Sequence, residues 1–168
     1  MAEDVLIRDA TPHELDRIEA LVLTAYREFQ PLFSEQIWLA WMDNISKTIR
    51  SGAGMLIVAE HEGELKGVVK FYPDAAHSGM GRWPEAAAAI RILAVSPEAR
   101  GQGLGTILTQ ECLRRARDLK IRTIFLYTGT FMAAARHLYE KLGFRRAPEL
   151  DRDPGPIAYR LDLEGGEI

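Results

Sequence analysis

Hydrophobic positions change their period along the chain, and each change marks an element. Val5-Leu6-Ile7-Arg8 reads as a short strand. Thr11-Pro12-His13-Glu14 follows it as a capping box with Pro at the first helical position. Leu15, Ile18, Val22, Ala25, Tyr26 and Phe29 then line one helical face. Ser34 caps a second helix with apolar positions Ile37, Trp38, Trp41, Met42, Ile45 and Ile49, and Ser51-Gly52-Ala53-Gly54 stops it. Residues 55–59 and 65–72 are strands around a turn at His61-Glu62-Gly63-Glu64. In the second of these, Leu65, Val69 and Phe71 alternate with Lys66, Lys70 and Tyr72, which predicts one half-exposed face.

Residues 73–87 have a different texture, carrying Asp74, His77, Ser78, Gly79, Gly81, Trp83, Pro84 and Glu85. Connections this long are usually functional or mobile. The stretch reads either as a hairpin tip or as a substrate loop, because it feeds the central strand. That strand holds Ile90, Ile92, Leu93 and Val95, apolar and mostly β-branched, as in a strand covered on both faces. Ser96 and Pro97 end it. Leu104, Ile107, Leu108, Cys112, Ala116 and Leu119 then have helical spacing. Thr123-Ile124-Phe125-Leu126-Tyr127 is another apolar strand. Thr130 caps a helix bearing Ala135, Leu138, Tyr139 and Leu142, and Gly143 is its C-cap. Phe144-Arg145-Arg146 and residues 157–161 complete the sheet. The order is strand, two helices, three strands, helix, strand, helix, two strands, which is α+β with a mixed sheet.

Between the central strand and its helix, Gly101, Gly103 and Gly105 remove three Cβ atoms within one turn. Backbone N–H groups there can approach a bulky anion, and the helix dipole favours phosphate at that end. Spacing excludes two anion-binding turns. A P-loop pattern counted from Gly101 meets Thr106 at its second Gly position and Ile107 in place of Lys. The dinucleotide pattern Gly-x-Gly-x-x-Gly also fails at Thr106, and it belongs on a first strand, whereas this turn lies past mid-chain. What remains is Arg100-Gly101-Gln102-Gly103-Leu104-Gly105, an Arg/Gln-x-x-Gly-x-Gly/Ala pattern, preceded by Leu93-Ala94-Val95 and Pro97-Glu98.

That stretch resembles the acyl-CoA-binding motif of the GNAT superfamily of N-acetyltransferases. Leu138-Tyr139-Glu140-Lys141-Leu142-Gly143-Phe144 looks like the Tyr-x-Lys-x-Gly-Phe signature found late in those enzymes, and Ala135, one turn earlier, also matches. The resemblance covers nearly the whole chain. It implies the GNAT (acyl-CoA N-acyltransferase) fold: α+β, a mixed, mostly antiparallel sheet of six to seven strands, and about four helices. It implies acetyl-CoA as co-substrate and a primary amine, small-molecule or peptide, as acceptor, joined by direct attack in a ternary complex. In this family the central strand and the strand after the next helix splay apart. The pantetheine arm then pairs with the backbone of Leu93, Ala94 and Val95. The pyrophosphate rests on the turn formed by Arg100, Gly101, Gln102, Gly103, Leu104, Gly105 and Thr106, and Arg100 adds charge-assisted bonds. An N–H near Leu93 or Val95 stabilises the oxyanion, and Tyr139 returns a proton to the coenzyme A thiolate. The first two helices wall the acceptor site in this family. Trp38 and Trp41, which read as core, therefore stay open as substrate contacts.

The chain departs from the family pattern in two places. Many relatives carry an acidic residue early in the central strand, but residues 86–89 are all alanine here. The base then falls to Glu85, to His77 or Asp74, or to a water chain. Met132 stands seven residues before Tyr139, where many relatives have Asn. Both departures leave open a catalytically silent acyl-CoA-binding sensor or partner module.

Bulk properties narrow the classes further. A length of 168 residues fits one domain, 1–168, and no linker or internal repeat interrupts it. A net charge of −3 argues against nucleic acid as the main partner. Arg114, Arg115, Arg117, Lys120 and Arg122 read as a solvated helix end. The single Cys112 rules out an internal disulfide and sits on an apolar helix face, as a buried thiol does. His13, His61, His77 and His137 have no metal-ligand spacing, so no metal is expected. The start of the chain lacks the apolar core of a signal peptide, and no run reaches ~18 apolar residues, so a cytoplasmic protein is expected. Glu149, Asp151 and Asp153 form an acidic loop that either attracts a cationic amine or is simply solvated. Residues 164–168 read as a frayed tail. Homodimers are frequent in the family, and the residues leave that open.

Overall fold

The first helix starts at its capping box. The Thr11 N–H donates to Glu14 Oε1 at 2.8 Å, and the Glu14 N–H donates to the Thr11 carbonyl at 3.0 Å. The computed structural model describes residues 4–152 and 154–163; Asp153 and the tail 164–168 lie outside the described residues. The described elements are β1 (Leu6–Asp9), α1 (Leu15–Tyr26), α2 (Glu35–Arg50), β2 (Met55–His61), β3 (Glu64–Tyr72), β4 (Ala88–Val95), α3 (Leu104–Asp118), β5 (Thr123–Thr128), α4 (Ala133–Lys141), β6 (Arg145–Arg146) and β7 (Ile157–Asp162). The element order is the one the hydrophobic pattern predicts.

The strands form a seven-stranded sheet in the order β1-β2-β3-β4-β5-β7-β6. It is mixed. β1 runs antiparallel to β2, with Leu6 opposite Glu60. β4 runs parallel to β5, with Ala88 to Ile90 opposite Ile124 to Leu126. β5 runs antiparallel to β7 along its full length, and β6 is antiparallel to β7. The chain divides into two compact units, Met1–Lys70 with Ile92–Leu108, and Phe71–Arg91 with Thr109–Ile168.

In the first unit α1 packs on α2. Ile18, Val22, Ile45, Ile49, Ile57 and Val69 are all buried. Each such aliphatic side chain contributes about 1.5–3 kcal/mol by leaving water. The Ser34 cap forms as predicted, its hydroxyl accepting from the Ile37 N–H at 3.2 Å. Glu62 and Gly63, with φ of 52° and 78°, make the β2–β3 turn, a pair of left-handed residues that matches strand twist. The half-exposed face expected on β3 is corrected. Gly67 to Tyr72 are all buried, and Lys70 is only 1% exposed. Its ammonium donates to the Thr48 carbonyl and, at 3.1 Å, to the Ser51 carbonyl. The C-terminal end of α2 thus supplies the negative pole that lets a lysine enter the core.

In the second unit Ile124, Phe125 and Leu126 are buried, as a strand covered on both faces requires. Cys112 is fully buried, and desolvation pushes its thiol pKa well up, so it is inert. The basic cluster on α3 is largely self-paired: Arg114 and Arg115 both reach Glu111, and Arg114 also reaches Asp118. Those hydrogen bonds, Arg114 foremost, hold the Glu111 carboxyl down at about 2. The predicted start of α4 is also corrected. It begins at Ala133 with Met132 as its N-cap, because the Met132 N–H first closes a turn on the Gly129 carbonyl at 3.0 Å. Its end is as expected. Gly143 has φ of 101°, its N–H donates to Glu140, and the Phe144 N–H donates to Tyr139 at 3.0 Å. This is a Schellman cap, and the Tyr139 and Phe144 rings, 5.6 Å apart and edge-on, supply its apolar contact.

Candidate functional site

The glycine turn is built by backbone conformation. After β4, the Ala99 N–H closes a short 3₁₀ turn on the Ser96 carbonyl at 2.9 Å. Gly101 and Gly103 then both take φ of 79°, which a side chain would strain. A Cβ at either would meet nothing within 4 Å, so the backbone there is open to an approaching group. The Gly103 carbonyl accepts the first helical bond of α3, from the Ile107 N–H at 3.0 Å. Leu104, Gly105 and Thr106 therefore form the first turn of that helix. First-turn N–H groups have no carbonyl within the helix to meet, and they carry the positive end of its dipole. Gln102 is exposed on the turn, and Leu104 anchors it from below, buried.

Arg100 sits at the entrance of this turn and is committed to protein partners. It pairs with the Glu28 carboxylate, and its other guanidinium nitrogen donates to the Ala25 carbonyl at 2.8 Å. An arginine on the last carbonyls of a helix is a favourable C-terminal partner for α1. Its side chain is still 44% exposed, so its charge stays at the rim of the turn.

Upstream, β4 is not a regular strand. Ile92 has φ of 56°, an outlier for a β-branched residue. A residue held there stores about 1–3 kcal/mol of strain and departs from extended strand geometry. The next residue, Leu93, presents its carbonyl to the Tyr26 hydroxyl, which donates at 2.9 Å. Tyr26 is buried at the end of α1, its ring stacked on Trp41 at 5.4 Å. Trp41 also meets Trp38 and Phe33 edge-on. Leu93 and Val95 are half-buried and Ala94 is buried. The cofactor residues expected from sequence, Leu93 to Val95 and Arg100 to Thr106, thus all fall in the first unit. Tyr26 and Glu28 were missed. Both lie near the end of α1, where the helical pattern reads Tyr26 as a core ring and gives no sign of what its hydroxyl reaches.

Tyr139, Glu85 and His77 belong to the second unit. Tyr139 is 5% exposed and lies between Phe144 and the Tyr159 ring, 6.3 Å away. The Tyr159 hydroxyl donates to Glu140 Oε2 at 2.6 Å, and burial pushes its phenol pKa up. Glu85 and His77 are both exposed on the β3–β4 connection, with His77 3.9 Å from Asp74. That connection is well anchored. Trp83 stacks on Phe125 at 5.0 Å and leans on Tyr127 at 4.6 Å. Its indole N–H donates to the Ser78 hydroxyl at 3.3 Å, and Arg91 donates to the Ser78 carbonyl at 2.9 Å. Gly81, with φ of 82°, is required there, since a Cβ would lie 2.8 Å from the Trp83 ring. Asp151, in the acidic loop, pairs with Arg146 and accepts from the Ala158 N–H at 2.7 Å. It is thereby used in holding the loop to β7.

A cleft of about 390 Å³ in the first unit is lined by Asp9, Pro12, Ile49, Ser51, Met55 and Lys70, among others. None of its lining residues belongs to the glycine turn, and its lysine is spent on α2. Among the described residues, no group of three or more His, Cys, Asp or Glu side chains is placed to hold a metal ion. No helix among them is long and apolar enough to cross a membrane.

Comparison with known proteins gives a consistent picture. A family model described as "Acetyltransferase (GNAT) family" matches residues 15–144. Mycothiol acetyltransferase of Cellulomonas flavigena is 38% identical over 96 residues, covering 56% of this chain and 27% of that protein. The chain thus spans under a third of the length of the curated relatives it matches. Among solved structures, the PaiA N-acetyltransferase of Thermoplasma acidophilum in complex with coenzyme A aligns with a TM-score of 0.75 at 16% identity, covering 95% of this chain and 99% of that one. A GNAT family acetyltransferase of Brucella melitensis in complex with acetyl-CoA aligns with a TM-score of 0.63 at 20% identity, covering 95% and 88%. These likenesses are likenesses of fold.

Proposed function

The chain belongs to the acetyltransferase (GNAT) family, and from that premise we propose that it is an enzyme moving an acetyl group from acetyl-CoA to a primary amine. The observation that carries the reading is the pair of left-handed glycines, 101 and 103, opening into the first turn of α3. The open space beside their backbone and the helix dipole suit a diphosphate. Gln102, Leu104, Gly105 and Thr106 complete that cradle, and the partly exposed charge of Arg100 adds attraction at its rim. The pantetheine arm lies along the backbone of Leu93, Ala94 and Val95. A neutral amine attacks the thioester carbonyl, the new C–N bond forms, and the oxyanion is held by backbone N–H of Leu93 or Val95. The C–S bond then breaks, coenzyme A leaves as thiolate, and Tyr139 supplies its proton. The attacking nitrogen gives its proton to Glu85, to His77 or to water. E85Q or H77N moves a limb of the pH–rate profile if that residue is the base, and unmoved limbs assign the step to water.

The family match runs through both units, which supports reading 1–168 as one acetyltransferase domain. A co-substrate of the cell interior favours a cytoplasmic location. The relatives' name, mycothiol acetyltransferase, puts small amines that carry a thiol beside other small amines and peptide amines in an acceptor screen. Loss of thioester absorbance is the better readout, because an acceptor bearing its own thiol would obscure a free-thiol assay. Calorimetry should show acetyl-CoA binding, competed by coenzyme A. No heat and no competition would sink the proposal, and binding without turnover over the whole panel would turn it to an acyl-CoA sensor.

A further inference from the structure

We propose that Tyr26 is a positioning residue for acetyl transfer. Its hydroxyl fixes the peptide that follows the strained Ile92, and so aims the edge of β4 that meets the thioester. The inference rests on the acetyltransferase reading above and adds a residue to it.

Three observations converge on it. The first is direction. The Ser96 N–H donates to the Lys66 carbonyl at 2.8 Å, and the Ala94 carbonyl lies 3.3 Å from where a Gly67 Cβ would stand. Ala94 and Ser96 therefore turn their backbone groups toward β3. Backbone groups alternate along a strand, so those of Leu93 and Val95 point to the opposite edge. Tyr26 meets Leu93 on that edge, with a side-chain hydroxyl at 2.9 Å.

The second is need. Ile92, at φ 56°, breaks the regular strand just before Leu93. A left-handed residue inside a strand re-aims the groups beside it, and a strained backbone keeps its aim only while its surroundings hold it. A fixed Leu93 carbonyl fixes the whole Leu93–Ala94 peptide plane. The Leu93 and Val95 N–H groups that flank this plane are the proposed oxyanion donors.

The third is linkage to the cofactor turn. The residue before Tyr26, Ala25, gives its carbonyl to Arg100 at 2.8 Å, at the entrance of the glycine turn. Two consecutive residues of the last turn of α1 thus hold the acyl edge of β4 and the phosphate turn. The spacing between them is set by one rigid element. Tyr26 itself is held by its stack on Trp41, with an interplanar angle of 23°.

The test compares wild type, Y26F and W41F in acetyl-CoA calorimetry and in thioester-loss kinetics with the best amine of the acceptor screen. Y26F keeps the ring and its stack and removes only the hydroxyl. We expect kcat to fall about ten- to hundredfold, as for a misplaced reacting group. The acetyl-CoA KM should change less than about threefold, with both limbs of the pH–rate profile unmoved and Tm lower by only a few degrees. W41F keeps the hydroxyl but loosens the stack that holds it, so kcat should fall about three- to tenfold, less than in Y26F, with the acetyl-CoA KM again unmoved. An unchanged kcat in Y26F overturns the inference, as does a rise in KM alone. A lost pH limb also overturns it, because Tyr26 would then carry a proton itself. If Y26F fails to fold, a folded W41F with lowered kcat and unmoved acetyl-CoA KM supports the inference, and a folded W41F with wild-type kcat overturns it. A wild type that neither binds nor consumes acetyl-CoA removes the proposed function and this inference together, whereas an active wild type matched by Y26F removes the inference alone.

Discussion

Tyr139 carries two claims that one substitution separates. Its ring is the apolar half of the Schellman cap of α4, against Phe144 at 5.6 Å, while its hydroxyl is the proposed proton donor. Y139F keeps the first and deletes the second. We expect turnover to fall by about tenfold or more, with acetyl-CoA affinity within about twofold by calorimetry and little change in Tm. Equal turnover would leave the residue to packing. At this scale the sequence was legible where the backbone does the work. Gly143 and the 101–103 glycines stand where φ is positive, and only glycine takes that conformation without strain. It was opaque where a side-chain atom reaches far along the chain. The Tyr26 hydroxyl bonds a carbonyl 67 residues away, and Lys70 meets carbonyls at the end of α2 about 20 residues before it. A helical or alternating pattern reads which face a residue occupies and says nothing of what its polar tip meets.

Helix ends show the same contrast among elements. α4 closes on glycine, but α3 closes the same way on a lysine. The Ile121 N–H donates to the Ala116 carbonyl at 2.9 Å, the Lys120 N–H donates to Arg117 at 2.9 Å, and Lys120 takes φ of 61°. A non-glycine residue there is strained, so K120G should stabilise the chain by about 1 kcal/mol, read as a higher urea midpoint at unchanged slope. A lower midpoint would mean the lysine side chain does more than its backbone loses. Element existence and order were readable because each has its own hydrophobic period. Boundaries were less so. Thr130 has the chemistry of a cap, but the turn at 129–132 delays α4 to Ala133. β3 looked half-exposed because the alternation of Lys66 with Lys70 mimics a solvent face, although α2 neutralises the second lysine.

For the whole molecule, acid response comes from paired carboxylates, Glu111 on α3 and, with more partners, Glu14. Its carboxylate takes a two-pronged bond from Arg8, both arms 2.8 Å, plus the Thr11 N–H, and it is buried. The Arg8 bonds, above all, hold its pKa at about 2 against an ordinary 4.5. Because the folded value lies below the unfolded one, its contribution is complete above about 4.5 and is lost as pH falls toward 2. The shift corresponds to about 3 kcal/mol for this group. Urea unfolding should therefore show stability declining steeply between about pH 4.5 and pH 2, and R8M should be less stable at neutral pH with a shallower acid decline. An R8M chain with the wild-type acid slope would contradict this origin. The packing of Trp83 has a separate consequence. It is one of three indoles in the chain, and the others, Trp38 and Trp41, sit on α2. A W38F/W41F chain would keep a single emitter, pressed on a phenol and a phenyl ring and tied to a serine hydroxyl. Its fluorescence lifetime would report the β3–β4 connection alone, brightening and shifting to the red when that segment lifts from β5 into water, in real time and without any label.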